Sequence, residues 1–333
     1  MSVLHSSGKT RREFVAGILS FAAIGSSDLA AAPQSPIIPL VPGPEVDSYK
    51  KAQTGLLEKF KVSAQSRYVK IPKLSLTAHV LEAGHGDPVV LIHGGAATAV
   101  QFAPMLGALQ SEFHTFTPDR PGCGLTDKID YRGVSFREHA VDFITGVLDA
   151  LQLRKAALVG NSMGGYWSLV FALARPERVT RLVLIGEVAG SSPPGPERPR
   201  PPQMKASLEN TRATYRAVLV SNIDHVPEEV LAADYAGSVL PGAAQSWGTM
   251  LEQIGREHRG LTYALRPELK NLRPETLFIW RDKDTFGPPA LGQEMASLAP
   301  RARCEVIRDA GHLVWLDQPE QCAKLTINSL KTA

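Results

Sequence analysis

Cysteine is scarce in this chain of 333 residues. Cys123, Cys304 and Cys322 are its three cysteines, and they are widely spaced. Metal-binding clusters and disulfide frameworks both place cysteines at short, regular intervals. The spacing here fits neither pattern, so we expect no metal site, no cofactor and no disulfide scaffold.

Runs of one charge and long apolar runs are also missing. The 36 basic and 33 acidic residues are spread along the chain and leave a net charge of +3. Proteins that bind nucleic acid carry a clustered basic surface, so we expect no nucleic-acid partner. After the N-terminal region, no segment approaches 18 uncharged apolar residues, which predicts a soluble product without a stable membrane anchor. A small-molecule substrate is the partner class that remains.

Residues 1–32 have the pattern of an export signal. Paired Arg11 and Arg12 precede an apolar stretch from Phe14 to Gly25, and small residues lead up to Ala32. This order is typical of twin-arginine signals. We therefore predict that the twin-arginine export machinery carries the precursor, that cleavage occurs near Ala32, and that the product is periplasmic or secreted. A basic tail beside a chance apolar segment is the alternative.

Proline marks two boundaries along the chain. Five prolines lie within Pro33–Pro44 and six within Pro193–Pro202. Proline fixes φ and removes a backbone donor, so these stretches suit neither a helix interior nor a central strand. We predict a linker with an N-terminal helix over residues 33–65 and a core over residues 66–190 and 267–333. Residues 191–266, whose pattern after Met204 is helical only, would form a lid.

The core alternates apolar strands with helices. Strands are predicted at residues 88–92, 156–160, 179–185 and 276–280, and Phe136–Leu153 has apolar residues at helical spacing. Strands that are apolar throughout are buried on both faces, which is typical of a parallel sheet between two helical layers. The predicted fold class is therefore α/β with a mostly parallel sheet.

A nucleophile motif lies between one of these strands and the next helix. Gly160-Asn161-Ser162-Met163-Gly164 has the form G-x-S-x-G, which places a serine on a sharp strand-to-helix turn. The turn needs small neighbours because its backbone is strained and the helix packs closely. We predict that Ser162 is a catalytic nucleophile.

A serine hydroxyl needs a base, and the base needs an acid to orient it. His312 follows the last predicted strand and is the candidate base, whereas His93 more simply braces an earlier loop. Asp284 lies in the loop after the strand at residues 276–280 and is the candidate acid. Glu187 is an alternative acid; Asp282, closer to the strand end, is read as a turn residue.

The developing oxyanion needs two backbone donors. Met163 follows the nucleophile and supplies one, and Gly95 in the His93-Gly94-Gly95 loop supplies the other. In the lid, Tyr215, Trp247 and Met250, with Trp315 near the base, are candidates to line an apolar substrate pocket. Core packing is the alternative for each of these four side chains.

From about Arg67 to Leu330, outside the predicted lid, the chain resembles the α/β-hydrolase fold superfamily in the order and spacing of its motifs. The features are the His93-Gly94-Gly95 loop, Asp119-Arg120-Pro121-Gly122-Cys123-Gly124, the Ser162 turn, Asp284 and Gly311-His312. The resemblance implies a serine hydrolase with helices on both sheet faces. Within the superfamily, Val159–Gly165 is similar to the meta-cleavage-product C–C hydrolases, which cleave vinylogous 1,5-diketones.

Three positions differ from that C–C group. Leu313 follows the histidine where the group usually has Trp, and Ala96-Ala97-Thr98 replaces a loop richer in Gly. Arg216 matches the group's substrate-binding lid arginine only loosely and also fits a solvated helix residue. We therefore predict a hydrolase of small to medium carboxylic esters that forms an acyl-enzyme. C–C cleavage and lactone or amide hydrolysis are alternatives; a non-catalytic binding protein would not need the whole set of residues.

Overall fold

The structure is a computed structural model that describes residues 37–187, 206–259 and 264–331. Its strands are β1 (Ile37–Ile38), β2 (Ala64–Ile71), β3 (Leu76–Ala83), β4 (Pro88–Ile92), β5 (His114–Pro118), β6 (Lys128–Ile129), β7 (Ala156–Asn161), β8 (Val179–Ile185), β9 (Glu275–Arg281) and β10 (Ala302–Ile307). Its helices are α1 (Pro44–Lys59), α2 (Ala103–Leu109), α3 (Phe136–Ala150), α4 (Met163–Ala174), α5 (Leu208–Thr214), α6 (Glu228–Ser238), α7 (Ala243–Arg259), α8 (Pro289–Leu298), α9 (Val314–Asp317) and α10 (Pro319–Lys331).

Eight strands form one sheet in the order β10-β9-β8-β7-β4-β5-β3-β2. The neighbours from β10 to β5 pair in parallel, and β3 runs antiparallel to both β5 and β2. The predicted α/β class with a mostly parallel sheet is confirmed. Because the registers pair Asn161 with Ile185, Ile185 with Ile279 and Arg281 with Ile307, the carboxyl ends of β7 to β10 lie along one edge.

Helices cover both faces of the sheet. Helices α3, α4 and α8 bury their apolar residues on one face, in the core that contains Phe143, Trp167 and Met295. Helices α2 and α10 cover the other face, where Phe102 and Cys322 are buried. Helix α4 is apolar around most of its circumference because the sheet and its neighbouring helices enclose it.

Between β8 and β9 the described residues form helices and turns and contain no strand. Helix α6 of this segment packs against α1, and Lys59 Nζ lies 3.3 Å from Glu229 Oε1 at their contact. The N-terminal helix therefore supports the helical segment above the sheet. The predicted domain boundaries, including the lid at residues 191–266, stay predictions.

Some sequence features fall outside the described residues. These are the export signal at residues 1–32 and the proline stretch Pro193–Pro202. Within the described part of the chain, no helix is both long and apolar enough to cross a bilayer. In that same part, no three His, Cys, Asp or Glu side chains gather where they would hold a metal ion. All three cysteines are free thiols.

Candidate active site

The turn between β7 and α4 places Ser162 at the carboxyl edge of the sheet. Ser162 has φ 50° and ψ −120°, a strained conformation for a residue with a side chain. Its amide donates to Ile185 O over 2.9 Å, which ties the turn to β8. A Cβ at Gly164 would lie 2.1 Å from Ile92 O, so this position of the motif has no room for a larger residue.

His312 lies in the loop after β10 and is buried. Its Nδ1 is 3.2 Å from Asp284 Oδ1, and the Phe286 ring packs 4.2 Å from the imidazole. Burial lowers the pKa of His312, opposed by the neighbouring Asp284 carboxylate. Among the described residues, Ser162 and His312 do not hydrogen-bond to each other. Catalytic hydrogen bonds of this kind often form only with substrate bound.

Three acids were candidates for the partner of His312. The side chain of Asp284 is fully buried beside the imidazole. Burial alone would raise the pKa of Asp284, but the charges of Arg281 and His312 and hydrogen bonds from His312 and the Phe286 amide lower it to about 2. Asp282 instead accepts the Ala310 amide over 3.3 Å, as a turn residue does.

Glu187, the other alternative acid, follows β8 and is buried. Its side chain lies against Gly165, where an added Cβ would be 2.8 Å from Glu187 Cβ. It also raises the pKa of Tyr166, whose burial is the larger cause. Glu187 therefore lies beside the first turn of α4, whereas Asp284 faces His312.

Hydrogen bonds from Arg120 hold the loop that carries Gly95. The Arg120 guanidinium donates to His93 O over 3.0 Å and to Gly94 O over 2.7 Å, and the Arg120 amide donates to His93 Nε2 over 2.9 Å. Burial and the charge of Arg120 lower the pKa of His93 to about 3, so this imidazole is neutral. His93 thus braces the loop near the start of α4, where Met163 lies.

The predicted pocket residues lie in different surroundings. Trp247 of α7 lies over the loop, since a Cβ at Gly95 would be 2.8 Å from Trp247 Cη2 and 3.5 Å from Met163 Cε. Met250 is buried with its sulfur 3.9 Å from Arg120 Nη1. Arg216 is exposed.

The other two aromatic candidates are fully buried. Trp315 donates from Nε1 to Gln101 O over 3.0 Å and packs 4.9 Å from the Phe102 ring. Burial raises the pKa of Tyr215 well above its ordinary value, and its ring belongs to the same core as Trp315. Of the aromatic candidates, Trp247 is thus the one that lies against Gly95.

Sequence reasoning missed Arg281, the last residue of β9. Its guanidinium is fully buried and forms an ion pair with Asp284, and its Nη2 lies 2.6 Å from His312 Nδ1. Its Nε donates to Gly311 O over 3.0 Å. A strand residue points to the face opposite its predecessor, so the burial of Trp280 gave no hint that Arg281 is buried too. Its position three residues before Asp284 was the available signal.

With the fold and site in view, comparison with known proteins gives the class. The Alpha/beta hydrolase family model matches residues 89–325, so the chain belongs to the α/β-hydrolase family. The chain is similar to a 2-hydroxymuconate semialdehyde hydrolase of Pseudomonas putida, at 29% identity over 75% of this chain and 89% of the relative. It is also similar to a 2-hydroxy-6-oxo-2,4-heptadienoate hydrolase of Pseudomonas putida, at 28% identity over 71% and 86%.

Solved structures give the same fold. The meta-cleavage product hydrolase CumD of Pseudomonas fluorescens matches with a TM-score of 0.67 and 27% identity, covering 80% of this chain and 97% of CumD. The carboxylesterase CesB of Bacillus subtilis also has a TM-score of 0.67, with 20% identity over 86% of this chain and 98% of CesB. At that identity CesB supports the fold alone. The chain is an α/β-fold hydrolase related to meta-cleavage product C–C hydrolases.

Proposed function

We propose that this hydrolase cleaves a carbon–carbon bond beside a carbonyl in a conjugated ring-fission diketone. The observation that carries the proposal is the likeness, over 71–81% of the chain, to hydrolases named for 2-hydroxymuconate semialdehyde and for 2-hydroxy-6-oxo-dienoates. This replaces the ester as the leading substrate class, because the esterase likeness is one of fold only.

The reaction assigns one role to each residue. His312 accepts the Ser162 proton, and Ser162 Oγ attacks the carbonyl carbon. The amides of Met163 and Gly95 donate to the oxyanion. The carbon–carbon bond then breaks, its electron pair passes into the conjugated keto acid, and the His312 imidazolium gives that fragment the proton taken from Ser162. Water, deprotonated by His312, releases the second acid from Ser162.

Carboxylic ester hydrolysis is the second candidate, and two lid and loop residues favour it. Arg216 is exposed, and buried Leu313 follows His312 where the C–C group usually has an aromatic residue. A ring-fission product carries a carboxylate, whereas Trp247 offers an apolar ring beside the oxyanion loop. An uncharged ester, lactone or amide would suit that surface.

The two candidates differ in one measurement. The protein from residue 33 onward is assayed for kcat/KM on a 2-hydroxy-6-oxo-dienoate, followed by loss of the dienolate absorbance, and on short and medium acyl esters. We expect the diketone to be preferred by at least about tenfold, a difference of about 1.4 kcal/mol. A preference for the esters of that size would replace the C–C assignment with ester hydrolysis.

We also propose that residues 1–32 direct export, on the strength of Arg11 and Arg12 followed by the apolar stretch. Replacing both arginines with lysine should keep the protein in the cytoplasm. Unchanged export of that variant would remove the twin-arginine assignment.

A further inference from the structure

The base and the acid of the site share a third neighbour. Arg281 ends β9, and its Nη2 lies between Asp284 and His312, as an ion-pair partner of the first and 2.6 Å from Nδ1 of the second. Asp284 Oδ1 faces the same Nδ1 at 3.2 Å. One ring nitrogen of His312 therefore has two rival partners.

The two contacts require different tautomers of His312. A guanidinium only donates hydrogen bonds and stays charged in proteins, so Nδ1 must accept from Arg281 with a lone pair. A neutral imidazole then carries its proton on Nε2. A base that takes the Ser162 proton needs the opposite tautomer, with Nδ1–H donated to Asp284 and Nε2 free to accept. The contact with Arg281 thus matches a resting base.

The backbone around Arg281 makes room for its guanidinium. Gly186 has φ +64°, and a Cβ there would lie 2.0 Å from Arg281 Nη1. Within the described residues, Nη1 is buried without a hydrogen-bond partner. A buried N–H without a partner is costly, so Arg281 is not a fully paired structural residue. Its best-formed contacts are those to Asp284, His312 and Gly311.

We propose that Arg281 is a positioning residue that competes with Asp284 for Nδ1 of His312 and holds the resting enzyme in the tautomer that cannot deprotonate Ser162. The proposal rests on the proposed function, since it takes His312 as the base. Only the fraction of molecules in which His312 carries its proton on Nδ1 and donates it to Asp284 can then turn over substrate. Removing the competitor should enlarge that fraction.

Other titratable groups lie around Gly311 and Arg281. Asp317 of α9 accepts the Gly311 amide over 2.8 Å, and exposed His225 lies 3.4 Å from Asp317. Cys322 of α10 is close enough to Arg281 for the cation to oppose the burial that raises the pKa of the thiol. These groups are the same in every variant used below, so a change in His312 reports on Arg281.

The direct test is nitrogen-15 NMR of the histidine side chains in the protein without residues 1–32. The His312 resonances are assigned by their loss in His312→Gln. We expect the neutral proton of wild-type His312 on Nε2, and on Nδ1 in Arg281→Met, which removes both the donor and the charge. A proton on Nδ1 in the wild type would overturn the proposal, and this measurement needs no substrate.

A second test follows the rate at which a fluorophosphonate labels Ser162. The Ser162 Oγ–P bond forms, the P–F bond breaks, fluoride leaves and His312 takes the proton. We expect Arg281→Met to be labelled several-fold faster than the wild type at neutral pH. The acidic limb of its pH–rate profile should shift to higher pH by about one unit, because a cation beside His312 disfavours the imidazolium. Arg281→Lys, which keeps the charge, should retain the wild-type limb.

A merely structural Arg281 would give a different pattern. Both variants would then lose rate equally at all pH values, with the limb unmoved, and that result would contradict the proposal. Thermal unfolding verifies that the variants fold. Labelling that fails in every protein while NMR places the proton on Nε2 would count against the proposed function and not against the role of Arg281.

Discussion

At the scale of single residues, the geometry favours one of the three candidate acids. Asp284, Asp282 and Glu187 all follow strands whose ends meet at the same edge of the sheet. Only the direction of each side chain separates them: Asp284 faces His312, Asp282 accepts the Ala310 amide and Glu187 lies against Gly165. Asp284 is therefore the candidate acid that the geometry favours.

Asp284→Asn should lower the rate of Ser162 labelling and of substrate turnover by about 10⁴, because an amide no longer fixes the productive tautomer of His312. Glu187→Gln is the matched control and should change these rates by less than about tenfold. The rates are measured at one pH on folded proteins. A larger loss in Glu187→Gln than in Asp284→Asn would transfer the acid role to Glu187.

Asp284 should also make the free energy of unfolding depend on pH in the acid range. Its pKa is about 2 in the folded protein and about 3.9 in an unfolded chain, so its stabilisation is fully present above about pH 5. As the pH falls from about 5 to about 1, the folded protein should lose about 2–3 kcal/mol through this group. Urea unfolding measures the loss, and a curve for Asp284→Asn that falls as steeply as the wild-type curve would contradict it.

Residues in short motifs could be predicted from the sequence, whereas residues placed by long-range packing could not. Ser162 could be predicted because five consecutive residues define its turn. Arg281 could not, since a charged residue at a strand end usually reaches solvent, and its burial depends on Gly186 and Gly311 from other loops. Trp315 lies only three residues after His312, yet its indole turns into the core to donate to Gln101.

Among the elements, the turn from β7 to α4 has the strictest packing. A Cβ on Gly164 would meet the backbone oxygens of Ile92 and His93 at 2.1 and 2.4 Å. Backbone atoms of a central strand cannot move aside without disturbing the sheet. The helix can therefore approach β4 this closely only with glycine at that position.

Gly164→Ala should lower the free energy of unfolding by about 1–3 kcal/mol and displace Ser162. The control is Gly55→Ala on α1, where no atom lies within 4 Å of the added Cβ. That change should raise stability by about 0.5–1 kcal/mol, since alanine restricts the unfolded chain. Thermal unfolding and Ser162 labelling measure both variants. Equal stability of the two would show that the contact at Gly164 is unimportant.

In the predicted lid, the helices could be predicted but their packing could not. Its helical character followed from the residue pattern, and the described residues there form helices and turns. Which side chains face Ser162 depends on how α6 packs against α1 and on how α7 lies against Gly95. Trp247 faces that loop while Arg216 is exposed, and no local pattern distinguished them.

At the scale of the whole molecule, the sheet brings distant segments together. Ser162 lies more than a hundred residues before both Asp284 and His312 in the chain, yet each of the three follows a strand of one parallel block. A right-handed, parallel βα order makes this edge the place where loops converge. The mostly parallel sheet with helices on both faces could be predicted from the sequence, whereas the sheet does not determine which bond is cleaved.

The central claim is that Ser162 is the nucleophile of a hydrolase. The most direct measurement is peptide mass spectrometry of the protein from residue 33 onward after reaction with a fluorophosphonate, compared with Ser162→Ala. We predict one phosphonyl group per chain on the Ser162 peptide, together with loss of substrate turnover, and neither the label nor turnover in Ser162→Ala. A label on another residue, or a Ser162→Ala variant that retains turnover, would contradict the account.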